Sequence, residues 1–243
     1  MGFPAIINHA LAWSGSQLQD ESEYIYHLGN ADVGEFEARL NVFKTYELDG
    51  NQIDCENFPL PTFGAKLRNI SHAVYNGRGL CVIRGIDPSD YSVEDLTMLW
   101  LGVQSLTGHW PSLSPRYQCR PLIFFEEDHL ITNFGPISLL GNNTHPRPES
   151  IPTINQRQHE ALDIVEAIAQ AAELKLQTRP GDMHFINNLA LLHRRNSFVD
   201  GSLKQEKRHL IRMRLRSSEL GWSIPPQLKP DWVAAFESDT WQT

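Results

Sequence analysis

Residues 179–198, RPGDMHFINNLALLHRRNSF, gather the side chains of this 243-residue chain that are best placed to do chemistry. They comprise a Gly-Asp turn, the pair Asn187-Asn188, and a histidine, His193, followed by two arginines. A neutral imidazole is a common metal ligand, but a histidine closing an apolar run is also an ordinary polar strand end. From Arg208 the chain reads RHLIRMRLR, which alternates strictly. His209, Ile211, Met213 and Leu215 fall on one face; Arg208, Leu210, Arg212, Arg214 and Arg216 fall on the other. Without further information this is an edge strand with a solvated basic face. The functional alternative points one or two arginines into a barrel mouth, where the planar guanidinium fork grips a carboxylate through two hydrogen bonds.

Other chemistry-bearing groups read more plainly. Glu126, Glu127, Asp128 and His129 form a charged cluster at the expected tip of a hairpin. His184 sits in an expected strand, and His109 in an irregular junction. Cys81 lies inside an apolar run and reads as a packed residue rather than a nucleophile. There is no Gly-x-Ser-x-Gly elbow, no phosphate-binding loop and no Gly-x-Gly-x-x-Gly after a strand.

The elements that must position these groups follow from periodicity. Phe36, Leu40 and Phe43 predict a helix over 32–43. Leu67, Ile70 and Val74 predict a second over 63–76, stopped by Gly77. GLCVIRGI predicts a buried strand between glycines. Ser92, with Asp95 three residues on, predicts the start of a third helix with the stripe Leu96, Leu99, Val103 and Leu106. LIFFEEDHLITNF predicts a hairpin turning at Glu127-Asp128. Residues 136–154 read as loop, and Thr153 as the cap of a long helix with Leu162, Val165, Ala169 and Ala172 on its apolar face. GDMHFIN, LALLH and HLIRMRL read as the last strands, ahead of a Trp- and Pro-rich tail. Strands with helices gathered in the first half predict an α+β protein built round a β-sandwich or jelly roll.

The net charge of −8 argues against a general nucleic-acid binder. Residues 194–216 nevertheless carry eight Lys/Arg against two acids, +6 locally, which leaves −14 for the rest. A basic segment in an acidic chain points to a small anionic partner. Three cysteines without CxxC spacing signal neither a disulfide framework nor a zinc knuckle, and a reducing compartment is expected. The N-terminus lacks signal-peptide character, and Ile6 stands where a myristoylation signal needs Ser or Thr. The expectation is a cytoplasmic protein without membrane segments.

PGDMHFINNLALLHRRNSF, followed by Arg208 in KRHLIRMRLR, resembles the C-terminal signature of the TauD/TfdA family of Fe(II)- and 2-oxoglutarate-dependent dioxygenases. Residues 57–108 resemble the N-terminal part of long fungal-type members, and RPLIFFEEDHLITNF through LGWSIPPQL resembles their C-terminal half. The resemblance implies a double-stranded β-helix core, with His193 as the distal iron ligand. Arg208 would partner the distal carboxylate of 2-oxoglutarate, and Arg212 would supply a second anion contact. In this family two histidines and one carboxylate hold iron on one face and leave three positions for the keto acid and O2.

One element of the pattern is missing. None of the ten histidines is followed two positions on by Asp or Glu, so the family's His-x-Asp/Glu motif is absent. Only a short run, from His109 to Pro115, stands where the family carries a long block with that motif. The reading is therefore a single, internally shortened TauD/TfdA-like domain over 1–243. It has a helical part to about 107, a shortened junction at 108–118 and an incomplete C-terminal barrel half at 119–236. By resemblance it is an oxidoreductase of small organic substrates, with secondary metabolism as the expected setting, whose ordinary iron site is broken. The alternatives are a non-catalytic descendant that binds a small carboxylate or a partner subunit, or an unstable fragment.

Overall fold

The computed structural model describes residues 8–106, 121–133, 135–142, 146–149, 151, 153–194 and 210–236. In chain order the elements are β1 (Ile25–His27), α1 (Asn30–Lys44), α2 (Pro61–Asn76), β2 (Leu80–Arg84), α3 (Val93–Ser105) and β3 (Ile123–Glu126). They continue with β4 (His129–Thr132), α4 (Pro136–Leu140), α5 (Gln156–Ala172), β5 (Met183–Ile186) and α6 (Lys229–Phe236). Contacts divide the chain into two compact units, each made of three segments. The first comprises 1–29, 72–88 and 121–192; the second comprises 30–71, 89–120 and 193–243.

The second unit is helical. Phe36 and Phe43 on α1 are fully buried and Leu40 nearly so, the stripe expected from their spacing. Phe36 meets Phe63 of α2 edge-to-face at 4.8 Å. The Glu35 carboxylate accepts from the Thr62 and Phe63 amides at 2.8 Å each, satisfying orphan donors at the start of α2. Ser92 caps α3 by accepting from the Asp95 amide at 3.0 Å, as its spacing predicts. Gly102 of α3 lies against Phe58, whose ring a Cβ there would meet at 2.3 Å.

The first unit holds the strands. β1 and β2 run parallel, and β5 pairs antiparallel to β2, giving the order β1-β2-β5. All five residues of β2 are buried. β3 and β4 form a separate antiparallel hairpin. Its turn residues Glu127 and Asp128 have φ of 45° and 64°, the left-handed pair that a two-residue hairpin loop requires.

The α+β class is observed, but among the described residues the strands do not close into a barrel. Several local expectations are corrected. The cap of α5 is Asn155 rather than Thr153: its side chain accepts from the Gln158 amide, while Gln158 reaches back to the Asn155 amide. α4 interrupts the expected loop 136–154. LALLH is no strand: Asn187 Oδ1 accepts from the Leu189 amide, and the Asn187 carbonyl accepts from Ala190 and Leu191. That asparagine turn ends the strand begun at Met183. Residues 210–215 of the expected arginine strand lie in no strand, and Arg216 makes only an isolated bridge. Residues 207–209 lie outside the described residues. An alternating sequence becomes a strand only where a neighbour accepts its ladder hydrogen bonds, and for 210–215 no ladder forms. Among the described residues no helix is long and apolar enough to cross a membrane.

Candidate functional site

The Gly-Asp turn of residues 179–182 is built for one backbone conformation. Gly181 has φ +82°, and a Cβ there would fall 2.1 Å from the Ile86 carbonyl oxygen. Asp182 Oδ2 accepts from the Arg179 amide at 2.9 Å, closing the turn. The same carboxylate is gripped by Arg84 at the end of β2. Nε donates to Oδ1 at 2.9 Å and Nη2 to Oδ2 at 2.8 Å, while Nη2 also donates to the Gln177 carbonyl at 2.8 Å. Glu21 stands 3.6 Å from Nη1. Burial by itself raises the pKa of Asp182. The Arg84 hydrogen bonds, with the Arg179 amide and the charges of Arg84 and His184, outweigh it and hold the carboxyl below its ordinary range. Sequence reasoning passed over Arg84. The signal was a lone arginine ending the apolar run LCVIR, a charge that a buried strand tolerates only when paired.

The role of Asn187-Asn188 is equally local. Asn187 is buried and donates its backbone N–H to the Gly79 carbonyl at 2.7 Å, beyond the end of the β2–β5 ladder. His184 faces Val82 across that ladder and is half-buried.

His193 follows the asparagine turn and is exposed, as is Arg212. Both belong to the second unit. Partial desolvation of the imidazole, and next the positive charge of Arg212, lower the pKa of His193 below that of a free histidine. Of the three residues singled out from sequence, His193 and Arg212 lie among the described residues; the third, Arg208, lies outside them, as does His109. The charged cluster is a hairpin tip: Glu126 pairs with His129 across the turn, and the His129 ring meets His9 at 5.4 Å between centroids. Cys81 is buried, and burial pushes its thiol up to about 11, so it is packed and unreactive.

Ferrous iron would need a further histidine and a carboxylate beside His193. Among the described residues no group of three His, Cys, Asp or Glu side chains is placed to hold a metal ion. No histidine anywhere in the chain is followed at the second position by an acid. The described donors alone do not assemble the two-histidine, one-carboxylate set.

Fold and site by themselves define an α+β protein with a buried Arg–Asp clasp and an arginine-flanked histidine. Two likenesses to known proteins add to this. Residues 111–214 match the model of the taurine catabolism dioxygenase TauD, TfdA family. Over 96% of its length the chain is similar, at 24% identity, to the taurine hydroxylase-like protein SAT17 of Stachybotrys chartarum, 86% of which is covered. That alignment runs over 329 positions against a chain of 243 residues, so at least 86 of its positions face no residue of this chain.

Proposed function

We propose that this protein is a shortened TauD/TfdA-like domain, incomplete in its double-stranded β-helix core, that binds a small dicarboxylate through Arg212 and Arg208. The observation that carries this reading is the exposed Arg212 within a basic segment of an otherwise acidic chain. The histidine that resembles the family's distal ligand sits in the field of that fixed positive charge. The net charge of +6 over 194–216 supports a small anion as the ligand. An arginine fork recognises a carboxylate whether or not a metal is near. A cytoplasmic location and one domain over residues 1–243 belong to the same reading.

Calorimetric titration of the chain with 2-oxoglutarate tests it. Saturable binding is expected, lost in Arg208→Ala, weakened in Arg212→Ala and retained in His193→Ala. Binding indifferent to both arginines would overturn it.

A second reading is favoured by the unmatched positions of the alignment. At least 86 positions of it are enough to hold the family's missing block, so a longer product of the same gene would be an iron-dependent dioxygenase. Sequencing the transcript across the codons for residues 108–117 tests this: an inserted exon encoding a His-x-Asp/Glu motif is expected on that reading, and an uninterrupted junction removes it.

A further inference from the structure

We infer that residues 9–15 form a strap that fixes the turn Asn187–Leu191, and that strap and turn are coupled through Gly79. One end of the strap is firmly anchored. Gly15 is buried, a Cβ there would fall 2.0 Å from the Glu173 carbonyl oxygen, and Leu18 just beyond it belongs to the core. Toward His9 the attachment is lighter: Leu11 and Trp13 are half-buried, and Ala10 and Ala12 are exposed. Trp13 packs against the cluster of Leu18, Tyr24, Ile25, Leu80 and Val82, and so does Leu191 of the turn. Strap and turn therefore rest on one apolar surface.

Gly79 stands between them, with two peptide units meeting at its Cα. The first carries the Arg78 carbonyl, which accepts from Trp13 Nε1 at 2.9 Å. The second carries the Gly79 carbonyl, which accepts from the Asn187 amide at 2.7 Å. Glycine, here at φ +80°, restrains the rotation between the two units less than any other residue would. Side chains supply the restraint instead: a Cβ placed on Gly79 would fall 2.6 Å from Leu11 Cδ2 and 3.0 Å from Leu191 Cδ1. The turn depends on that restraint. Asn187 Oδ1 accepts from the Leu189 amide, while its Nδ2 is buried and meets no acceptor among the described residues, which costs stability. Thr132 grips only the middle of the turn, through the Leu189 carbonyl, and leaves both ends to Gly79. Lifting Leu11 and Trp13 frees the Arg78–Gly79 peptide unit, and with it the carbonyl that holds Asn187. With its side chains only half-buried, the strap opens at lower cost than the β2–β5 ladder. Its release loosens the chain that leads to His193, two residues past Leu191.

Amide hydrogen exchange on the full chain, read residue by residue, tests this. In Trp13→Phe an aromatic ring stays and the hydrogen bond to Arg78 is lost. The Asn187, Ala190 and Leu191 amides are expected to exchange about fivefold faster or more, and the amides of β2 and β5 to stay within about twofold. Leu191→Ala is expected to return the effect, speeding the Leu11 and Ala12 amides by a comparable factor, because coupling between two sites is reciprocal. Turn amides unmoved in Trp13→Phe would show a segment that merely lies on the surface, and would overturn the inference. Turn and strand amides rising together would show a general loss of stability, and overturn it as well. An effect in Trp13→Phe without its counterpart in Leu191→Ala removes the coupling through Gly79 and does the same.

Discussion

Arg84 and Asp182 meet in parallel, Nε to Oδ1 at 2.9 Å and Nη2 to Oδ2 at 2.8 Å, with side chains only 8% and 1% exposed. The pair ties the end of β2 to the turn that launches β5, so it holds the register of two sheet neighbours from outside the ladder. Removing one partner strands the other as a buried charge, which typically costs about 3–5 kcal/mol. Asp182→Ala and Arg84→Met are each expected to lower stability by about that much in urea unfolding. The double variant Arg84→Met/Asp182→Leu is expected to be less destabilised than the sum of the single changes, because no charge remains unpaired. Equal additivity would show that the two residues act separately.

The same carboxylate sets an acid limit. Its folded pKa is depressed below the ordinary 3.8, so its contribution to stability is fully present above that value. It is lost as pH falls through the lower, folded pKa. Stability followed by thermal unfolding is expected to be insensitive to this group near neutrality and to decay in strong acid. In Arg84→Met the largest opposition to the burial of Asp182 is gone, its pKa rises, and the decay begins at higher pH. Superimposable acid profiles for the two proteins would contradict the assignment.

Gly181 and Gly34 make a matched contrast. At Gly181 the left-handed φ of +82° opposes a side chain, and so does the Ile86 carbonyl oxygen, 2.1 Å from the point a Cβ would occupy. Gly181→Ala is expected to cost about 1–3 kcal/mol or more. At Gly34, inside α1, an added Cβ meets nothing within 4 Å. There alanine removes only glycine's entropic cost, and Gly34→Ala is expected to stabilise by about 0.5–1 kcal/mol. Unfolding midpoints for the two variants should move in opposite directions.

Which features were legible in the sequence follows from the range of the forces involved. The α1 stripe, the Ser92 cap and the Glu127-Asp128 turn are decided within a few residues, and they stand as read. The cap of α5 was misplaced by two residues because Thr153 and Asn155 are both competent caps, each with a glutamine three residues on, and the pair that forms is Asn155 with Gln158. The arginine run 210–215 failed as a strand for a longer-range reason. Its alternation specifies two faces, but a strand also needs a neighbour, and that requirement lies elsewhere in the chain. Arg84 was overlooked because its partner is 98 residues away. At the site, the roles expected for His193, Arg208 and Arg212 came from family resemblance, since spacing along the chain does not supply them.

The arginines of 212–216 differ in what they are free to do, and that difference gives the last prediction. Arg216 is stacked over the Trp232 ring of α6, its guanidinium carbon 5.4 Å from the centroid. A guanidinium held on an aromatic face keeps its charge but gives up its freedom to turn its fork toward a ligand. Arg212 is exposed and acts on His193. If a carboxylate is held by an oriented fork, Arg212→Ala should weaken dicarboxylate binding by about three- to tenfold. Arg212→Lys should recover only part of that loss, because an ammonium keeps the charge and not the paired donors. Arg216→Ala removes the same unit of charge from the same segment and should leave affinity nearly unchanged, while lowering the unfolding midpoint through loss of the Trp232 contact. Calorimetry on the three variants at low and moderate salt separates the two pictures. If Arg216→Ala and Arg212→Ala weaken binding equally, and added salt erases both effects, the anion is held by the general positive field of the segment, and no oriented carboxylate site exists at Arg212.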